Sequence, residues 1–243
     1  AFTKQFNEDN INIVSWDNLP NNSMKFLQAY SDDNGLTWSE PIDIKGIFPS
    51  DCKAANGGVC VGITLKDGTL LQPTYMSYSE DGVLKSYSSF IYSPDNGITW
   101  THGDMIQEDM TSNENSIIQR EDGSLVMITR TKTGLATFIL DAIGSGWVYH
   151  PEMIPPDGTV CQGHLVYLFS HIVLSDVINQ REDTTLYKSK DLITWEVITV
   201  LKKGISEGYS SLVFDDDTLC ALYESDKYSI GFCNLNSLLP MVK

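Results

Sequence analysis

An eight-residue pattern recurs along this chain and limits its fold more than any other feature. Ser31-Asp32-Asp33-Asn34-Gly35-Leu36-Thr37-Trp38 and Ser93-Pro94-Asp95-Asn96-Gly97-Ile98-Thr99-Trp100 share the form Ser-x-Asp-x-Gly-x-Thr-Trp. A shortened copy, Ser189-Lys190-Asp191-Leu192-Ile193-Thr194-Trp195, has lost its glycine and one residue. A worn copy over 140–147 keeps only Gly144 and Trp147. The third-position aspartate is expected to accept N–H groups of its own turn, and the glycine to supply positive φ. The closing tryptophan is expected to pack into the adjoining unit. These are building parts, not chemistry.

A second pattern interleaves with the octets. Leu65-Lys66-Asp67-Gly68-Thr69-Leu70, Arg120-Glu121-Asp122-Gly123-Ser124-Leu125 and Phe214-Asp215-Asp216-Asp217-Thr218-Leu219 are acidic turns between apolar runs. Each repeat therefore reads as two hairpins, one closed by an acidic turn and one by an octet. Successive octets start 62, 47 and 49 residues apart, so four short strands fill each repeat, the signature of a propeller blade. No stretch longer than a turn has helical periodicity. The expected class is all-β. The segment 1–30 reads as a strand pair, from Ile11-Asn12-Ile13-Val14-Ser15-Trp16 and Met24 to Tyr30, leading into the first octet. Val166 to Ser170 reads as a buried strand.

Composition narrows the partners. The net charge is −16 with only three arginines, a poor match for nucleic acid or anionic membranes, which need a basic footprint. No apolar run approaches the ~18 residues of a membrane span. The chain begins at Ala1 without a charged-then-apolar leader, and a secreted or cell-surface product is expected. Asn21-Asn22-Ser23 forms a weak glycosylation sequon. The five cysteines and four histidines show no metal-ligand spacing. No acidic loop has the spacing of a calcium site, so neither metal nor cofactor is expected. Cys220 and Cys233 fall near each other across a final hairpin, where two half-buried thiols are expected over a disulfide. The histidines read as surface or turn residues.

Chemistry is expected at the open ends of two hairpins. With Asp122-Gly123 as a two-residue turn, residues whose numbers sum to 245 face each other, and Glu114 and Arg130 lie together at the hairpin mouth. With a turn centred near Asp216-Asp217, the sum is 433 and Tyr209 sits beside Glu224. Corresponding hairpin ends of successive blades converge on one face of a propeller. Tyr209, Glu224, Glu114 and Arg130 are then candidates for one cleft, although a cross-strand ion pair and a packed aromatic are the plain alternatives.

The octets resemble the Asp boxes of the sialidase (neuraminidase) family. The Gly62 to Leu70 turn, the boxes, the Glu114–Arg130 hairpin, Arg181 ahead of a box, and the ending from Tyr209-Ser210-Ser211-Leu212 to Leu222-Tyr223-Glu224 follow that family's order. The resemblance runs from about Met24 onward. It implies a six-bladed propeller of the sialidase type over 1–243, a single domain lacking its N-terminal blade or blades, with four to five blades present. It also implies an exo-α-sialidase acting on sialylated glycans, a retaining glycoside hydrolase, with Tyr209 as nucleophile and Glu114 as the base behind it. Arg130 and Arg181 become two members of a three-arginine clamp on the sialic acid carboxylate, and Glu224 the acid that orients the third. The family's first clamp arginine and its acid/base aspartate have no match: no arginine precedes Arg120, and Asp9, Asp17, Asp43 and Asp51 do not fit the motif. A sialic-acid-binding propeller without catalysis and an Asp-box scaffold are the competing readings.

Overall fold

A computed structural model describes residues 2–4, 25–106, 110–153, 155–156, 160–178, 181–206, 208–215, 217–227 and 229–242. They form five antiparallel sheets in chain order. The first holds β1 (Phe2–Lys4), β2 (Lys25–Gln28) and β3 (Ile42–Asp43). The second holds β4 (Ala54–Gly57), β5 (Ile63–Thr64), β6 (Leu70–Glu80), β7 (Val83–Ser93) and β8 (Thr101–His102). Next come β9 (Ser112–Gln119), β10 (Leu125–Thr131), β11 (Leu135–Leu140) and β12 (Val148–Tyr149). The fourth sheet is β13 (His164–Leu168), β14 (His171–Ile178), β15 (Glu182–Ser189) and β16 (Glu196–Ile205). The fifth is β17 (Ser210–Asp215), β18 (Thr218–Asp226) and β19 (Ser229–Asn234), followed by a short helix, α1 (Leu239–Val242). The second to fifth sheets are blades of a propeller, as expected, and the smaller first sheet packs on the second. The strand expected over 11–16 and the sequon at Asn21 lie outside the described residues.

The inner strands of the third and fourth sheets are buried on both faces, and β10 shows why. Leu125, Val126, Met127 and Ile128 are all buried. Odd-numbered Leu125 and Met127 join Phe90, Ile117 and Phe138 in one core, and even-numbered Val126 and Ile128 join Leu165 and Leu174 in the next. A strand between two neighbours has no polar face, so its apolar residues run on rather than alternate. Two further cores complete the stack. Phe26, Phe48 and Met76 fill the first interval, and Val173, Leu212, Leu219 and Val242 the last. Burying each such side chain contributes about 1.5–3 kcal/mol, so blade-to-blade packing dominates the stability.

The first strands of successive blades lie side by side without a shared backbone ladder. Their inward N–H groups need other acceptors, and side chains supply them. Leu165 N donates to Ser116 Oγ at 2.9 Å, Ser210 N to Gln162 Oε1 at 3.2 Å, and Leu212 N to His164 Nδ1 at 2.9 Å. His164 and His171 are therefore buried, against the surface placement expected for the histidines.

The octets behave as expected, with one exception. Asp33 accepts Thr37 N at 2.8 Å and Thr37 Oγ1 at 2.6 Å, and Asp95 accepts the same groups of Thr99 at the same distances. Gly35 and Gly97 both take φ +83°. Trp100 reaches Gln28 of the first sheet through Nε1, and Trp147 packs edge-on against Phe90 of the preceding blade. Trp38 instead is 59% exposed, and among the described residues its ring nitrogen bonds back to Gly35 O. The strand expected over 166–170 ends at Leu168, because Phe169 and Ser170 form a two-residue turn with φ +49° and +62°. In the last sheet Cys233 pairs with Ala221, one place from Cys220, and both thiols are half-buried and not joined in a disulfide.

Candidate active site

The β9–β10 hairpin corrects the expected register by one residue. Arg120 N donates to Ser124 O and Gly123 N to Arg120 O, which makes Glu121-Asp122-Gly123 a three-residue loop with Gly123 at φ +92°. A tight turn followed by a left-handed glycine is the common three-residue hairpin. Paired residues therefore sum to 244, as in Asn115↔Thr129. Beyond that pair a bulge sets Asn113 and Glu114 of β9 against Arg130 of β10, so the two candidates face each other more directly than the expected register allowed. Bulges of this kind re-aim side chains at strand ends. The backbone behind them is anchored: Ser88 Oγ donates to Asn113 O at 2.9 Å and shares a 2.6 Å hydrogen bond with Thr129 Oγ1.

The β17–β18 hairpin has the expected sum of 433. Glu224 N donates to Tyr209 O at 2.9 Å, and Tyr209 N donates back to Glu224 Oε2 at 3.1 Å. Glu224 thus fixes the backbone of Tyr209.

The two mouths meet. Tyr209 Oη donates to Glu114 Oε1 at 2.5 Å, and Arg130 Nη1 donates to Glu114 Oε2 at 2.8 Å. Glu114 and Arg130 are largely shielded, with side chains 14% and 23% exposed, so this is not the loosely held surface pair of the plain alternative. The Arg181 guanidinium lies over the Tyr209 ring, 5.8 Å from its centroid, within cation–π range. The four residues expected together from the hairpin ends adjoin one another, and Arg181, named from the resemblance, lies beside them.

Arg181 ends the three-residue connection between Ile178 of β14 and Glu182 of β15, and its φ is +72°. A non-glycine residue in the left-handed region costs ~1–3 kcal/mol and persists where surroundings impose it. Gly208, at φ +106°, lets the chain pass close by. A Cβ there would stand 2.6 Å from Cys161 Sγ and 3.4 Å from Arg181 Cγ. The buried Cys161 lies close by, its thiol pKa pushed up by burial and pulled the other way by the charge of Arg181.

Burial, followed by the hydrogen bond to Glu114 and the charge of Glu114, pushes the Tyr209 phenol up to about 12, with Arg130 pulling the other way. The hydroxyl is neutral at ordinary pH, with its proton already directed at a carboxylate. This is the arrangement of a nucleophile and its base. The remaining nitrogens of Arg130 and the fork of Arg181 suit a planar carboxylate. Among the described residues no group of three or more His, Cys, Asp or Glu side chains is placed to hold a metal ion. No described helix is long and apolar enough to cross a membrane.

Two residues here carried no sequence signal. Tyr75 of β6 is a neighbour of Glu114 and Arg130: burial raises its hydroxyl pKa, Glu114 raises it further, and Arg130 opposes both. Ser206 joins the backbones of Arg181, Gly208 and Glu224. A register count finds neither, because both are brought to the cleft by packing between blades.

A sequence model of the BNR repeat-like domain matches residues 10–222. The chain is 36% identical over 231 residues to a sialidase of Paraclostridium sordellii, covering 82% of this chain and 56% of the relative. It is 33% identical over 228 residues to a sialidase of Clostridium perfringens, covering 81% and 59%. Among solved structures, the Hadza microbial sialidase Hz136 superposes with a TM-score of 0.77 at 26% identity, covering 91% of this chain and 47% of that one. Trypanosoma rangeli sialidase in complex with sialic acid superposes with a TM-score of 0.75 at 20% identity, a likeness of fold. The chain spans about half the length of the relatives it matches.

Proposed function

The chain belongs to the BNR-repeat sialidase superfamily, and from that premise we propose that the full-length protein is an exo-α-sialidase that removes terminal sialic acid from glycans with retention. The observation that carries this reading is the 2.5 Å hydrogen bond from the Tyr209 hydroxyl to Glu114, with Arg130 on the other carboxylate oxygen. Sialic acid bears a carboxylate on its anomeric carbon, which repels the Asp or Glu nucleophile used by most retaining glycosidases. A neutral phenol approaches that carbon without a charge penalty and gains nucleophilicity as its proton leaves.

In the first step Tyr209 Oη bonds to the anomeric carbon, the glycosidic C–O bond breaks and the phenolic proton passes to Glu114. The leaving oxygen takes a proton from an acid/base carboxylate, the role for which none of this chain's aspartates matches the family motif. Arg130 and Arg181 hold the substrate carboxylate, and Glu224 keeps the Tyr209 backbone in line. Water then attacks the same carbon and gives a proton to the acid/base carboxylate, the C–O bond to Tyr209 breaks, the departing phenolate takes its proton back from Glu114, and retention results from two inversions.

The hydrogen bond from nucleophile to base also favours an enzyme over a sialic-acid-binding propeller. Binding a carboxylated sugar needs the arginines; it does not need a carboxylate poised on a phenol. A 2,3-difluorinated sialosyl fluoride tests the assignment. The expected result is a covalent adduct on the peptide containing Tyr209; binding without an adduct, under conditions where the natural sialoside is cleaved, would rule Tyr209 out as nucleophile.

A further inference from the structure

Ser206 lies between β16 and β17 and is only 2% exposed. Its N–H donates to Arg181 O at 2.8 Å. Its hydroxyl donates to Glu224 O at 2.8 Å and accepts from Gly208 N at 3.2 Å and from Thr184 Oγ1 at 3.0 Å. A serine hydroxyl has one hydrogen to give and two lone pairs to offer, and all three are used. Tyr209 and Glu224 face each other at the mouth of the β17–β18 hairpin, whereas Arg181, just ahead of β15, belongs to the preceding sheet and shares no ladder with them. Ser206 links the two sides, bonding the carbonyl of the left-handed Arg181 on one and, on the other, the carbonyl of Glu224 and the N–H of Gly208, the residue before Tyr209.

We propose that Ser206 is a positioning residue that holds the nucleophile-bearing strand and Arg181 in mutual register, an inference that rests on the roles given to those residues above. Buried hydrogen-bonded networks lose specificity as a unit when one member is removed. A buried serine that only satisfied stray backbone groups would affect stability alone. One that sets the cleft must also affect substrate capture, because the arginine and the phenol have to address two neighbouring atoms of the same sugar.

The test compares Ser206→Ala with Thr184→Val in the full-length protein. Thr184→Val removes a bond to the same hydroxyl without touching a candidate site residue. Ser206→Ala is expected to raise KM for a fluorogenic sialoside about tenfold, the scale of a lost buried hydrogen bond, with a smaller fall in kcat. Thr184→Val is expected to lower Tm and leave KM unchanged. Equal KM effects from the two variants, or none from Ser206→Ala, overturn the proposal. A crystal structure of Ser206→Ala gives a second readout that needs no turnover, with Glu224 or the Tyr209 ring expected to shift against Arg181. Unchanged positions overturn the proposal even if the protein cleaves no sialoside, an outcome that would separately sink the sialidase assignment. If Ser206→Ala does not accumulate, Ser206→Cys keeps the volume with a weaker donor and carries both measurements.

Discussion

Tyr209 and Glu114 stand 95 positions apart in the chain and share the shortest contact of the cleft, 2.5 Å from hydroxyl to carboxylate. A short O–H···O⁻ bond of this kind is charge-assisted, and it leaves the phenol one proton transfer from being a nucleophile. Tyr209→Phe removes the attacking atom, so kcat for a sialoside is expected to fall by ~10³-fold or more. Glu114→Gln keeps the shape but cannot take the proton, and a fall of ~10²–10⁴-fold is expected. Turnover by either variant within tenfold of wild type would remove that residue from the mechanism.

Arg130 carries a different burden. One of its nitrogens is committed to Glu114, and in the proposed mechanism the rest of its planar fork holds the substrate carboxylate. Arg130→Lys keeps the charge and loses the fork. The loss of one charge-assisted hydrogen bond, about 1.5–3 kcal/mol, corresponds to roughly a ten- to hundredfold rise in KM and in the inhibition constant of free sialic acid. An unchanged inhibition constant would mean that the sugar carboxylate binds elsewhere.

Much of this was legible in the sequence, and the errors have physical causes. The octets gave away the blades because a turn that needs Asp, Gly and Trp at fixed offsets leaves a fixed trace. The 433 register was right because Asp215 pairs with Thr218 at the tip of the β17–β18 hairpin. The 245 register was wrong because Asp122 caps a longer loop, accepting Ser124 N and Oγ at 3.0 and 2.5 Å, so that only Gly123 is left-handed. A slip of one residue normally turns every side chain over; here it went unpunished because Glu114 and Arg130 sit at a bulge. Ser206, Tyr75 and the buried His164 left no trace, since nothing local distinguishes a serine that joins three strands from one in a solvated loop. Trp38 failed in the opposite sense. Its octet is intact, but a repeat motif cannot say whether a neighbour lies alongside to receive the ring.

That contrast between octets predicts unequal costs. Asp33 and Asp95 make matching bonds within their turns, but Trp100 ties its octet to Gln28 of the first sheet while Trp38, among the described residues, bonds back to its own turn. Asp95→Ala is therefore expected to lower Tm more than Asp33→Ala, because it also loosens the interval filled by Phe26, Met76 and Ile91. Calorimetry of the two variants decides this. Equal losses would show that the octets act only within themselves.

Two buried groups push the pH dependence of stability in opposite directions. His164 accepts Leu212 N on Nδ1, so its own proton sits on Nε2, and burial lowers its pKa to about 4. The unfolded value lies near 6.5. The stability it contributes is full above that value and is lost as pH falls through 6.5 towards 4, an amount of about 3 kcal/mol. Asp176 is buried with Oδ2 unpartnered, and burial raises its carboxyl well above the ordinary range. Its contribution is full below the unfolded value and is lost as pH rises. His164→Asn keeps an acceptor for Leu212 N and removes the titration, so its fall in Tm between pH 7 and pH 4 should be smaller than that of wild type by roughly 6–12 °C. Asp176→Asn should gain Tm over wild type at pH 7 and gain less at pH 4. Parallel curves for wild type and His164→Asn would mean that the blade interface admits a charged imidazole, and that water reaches the inner strands between β13 and β17.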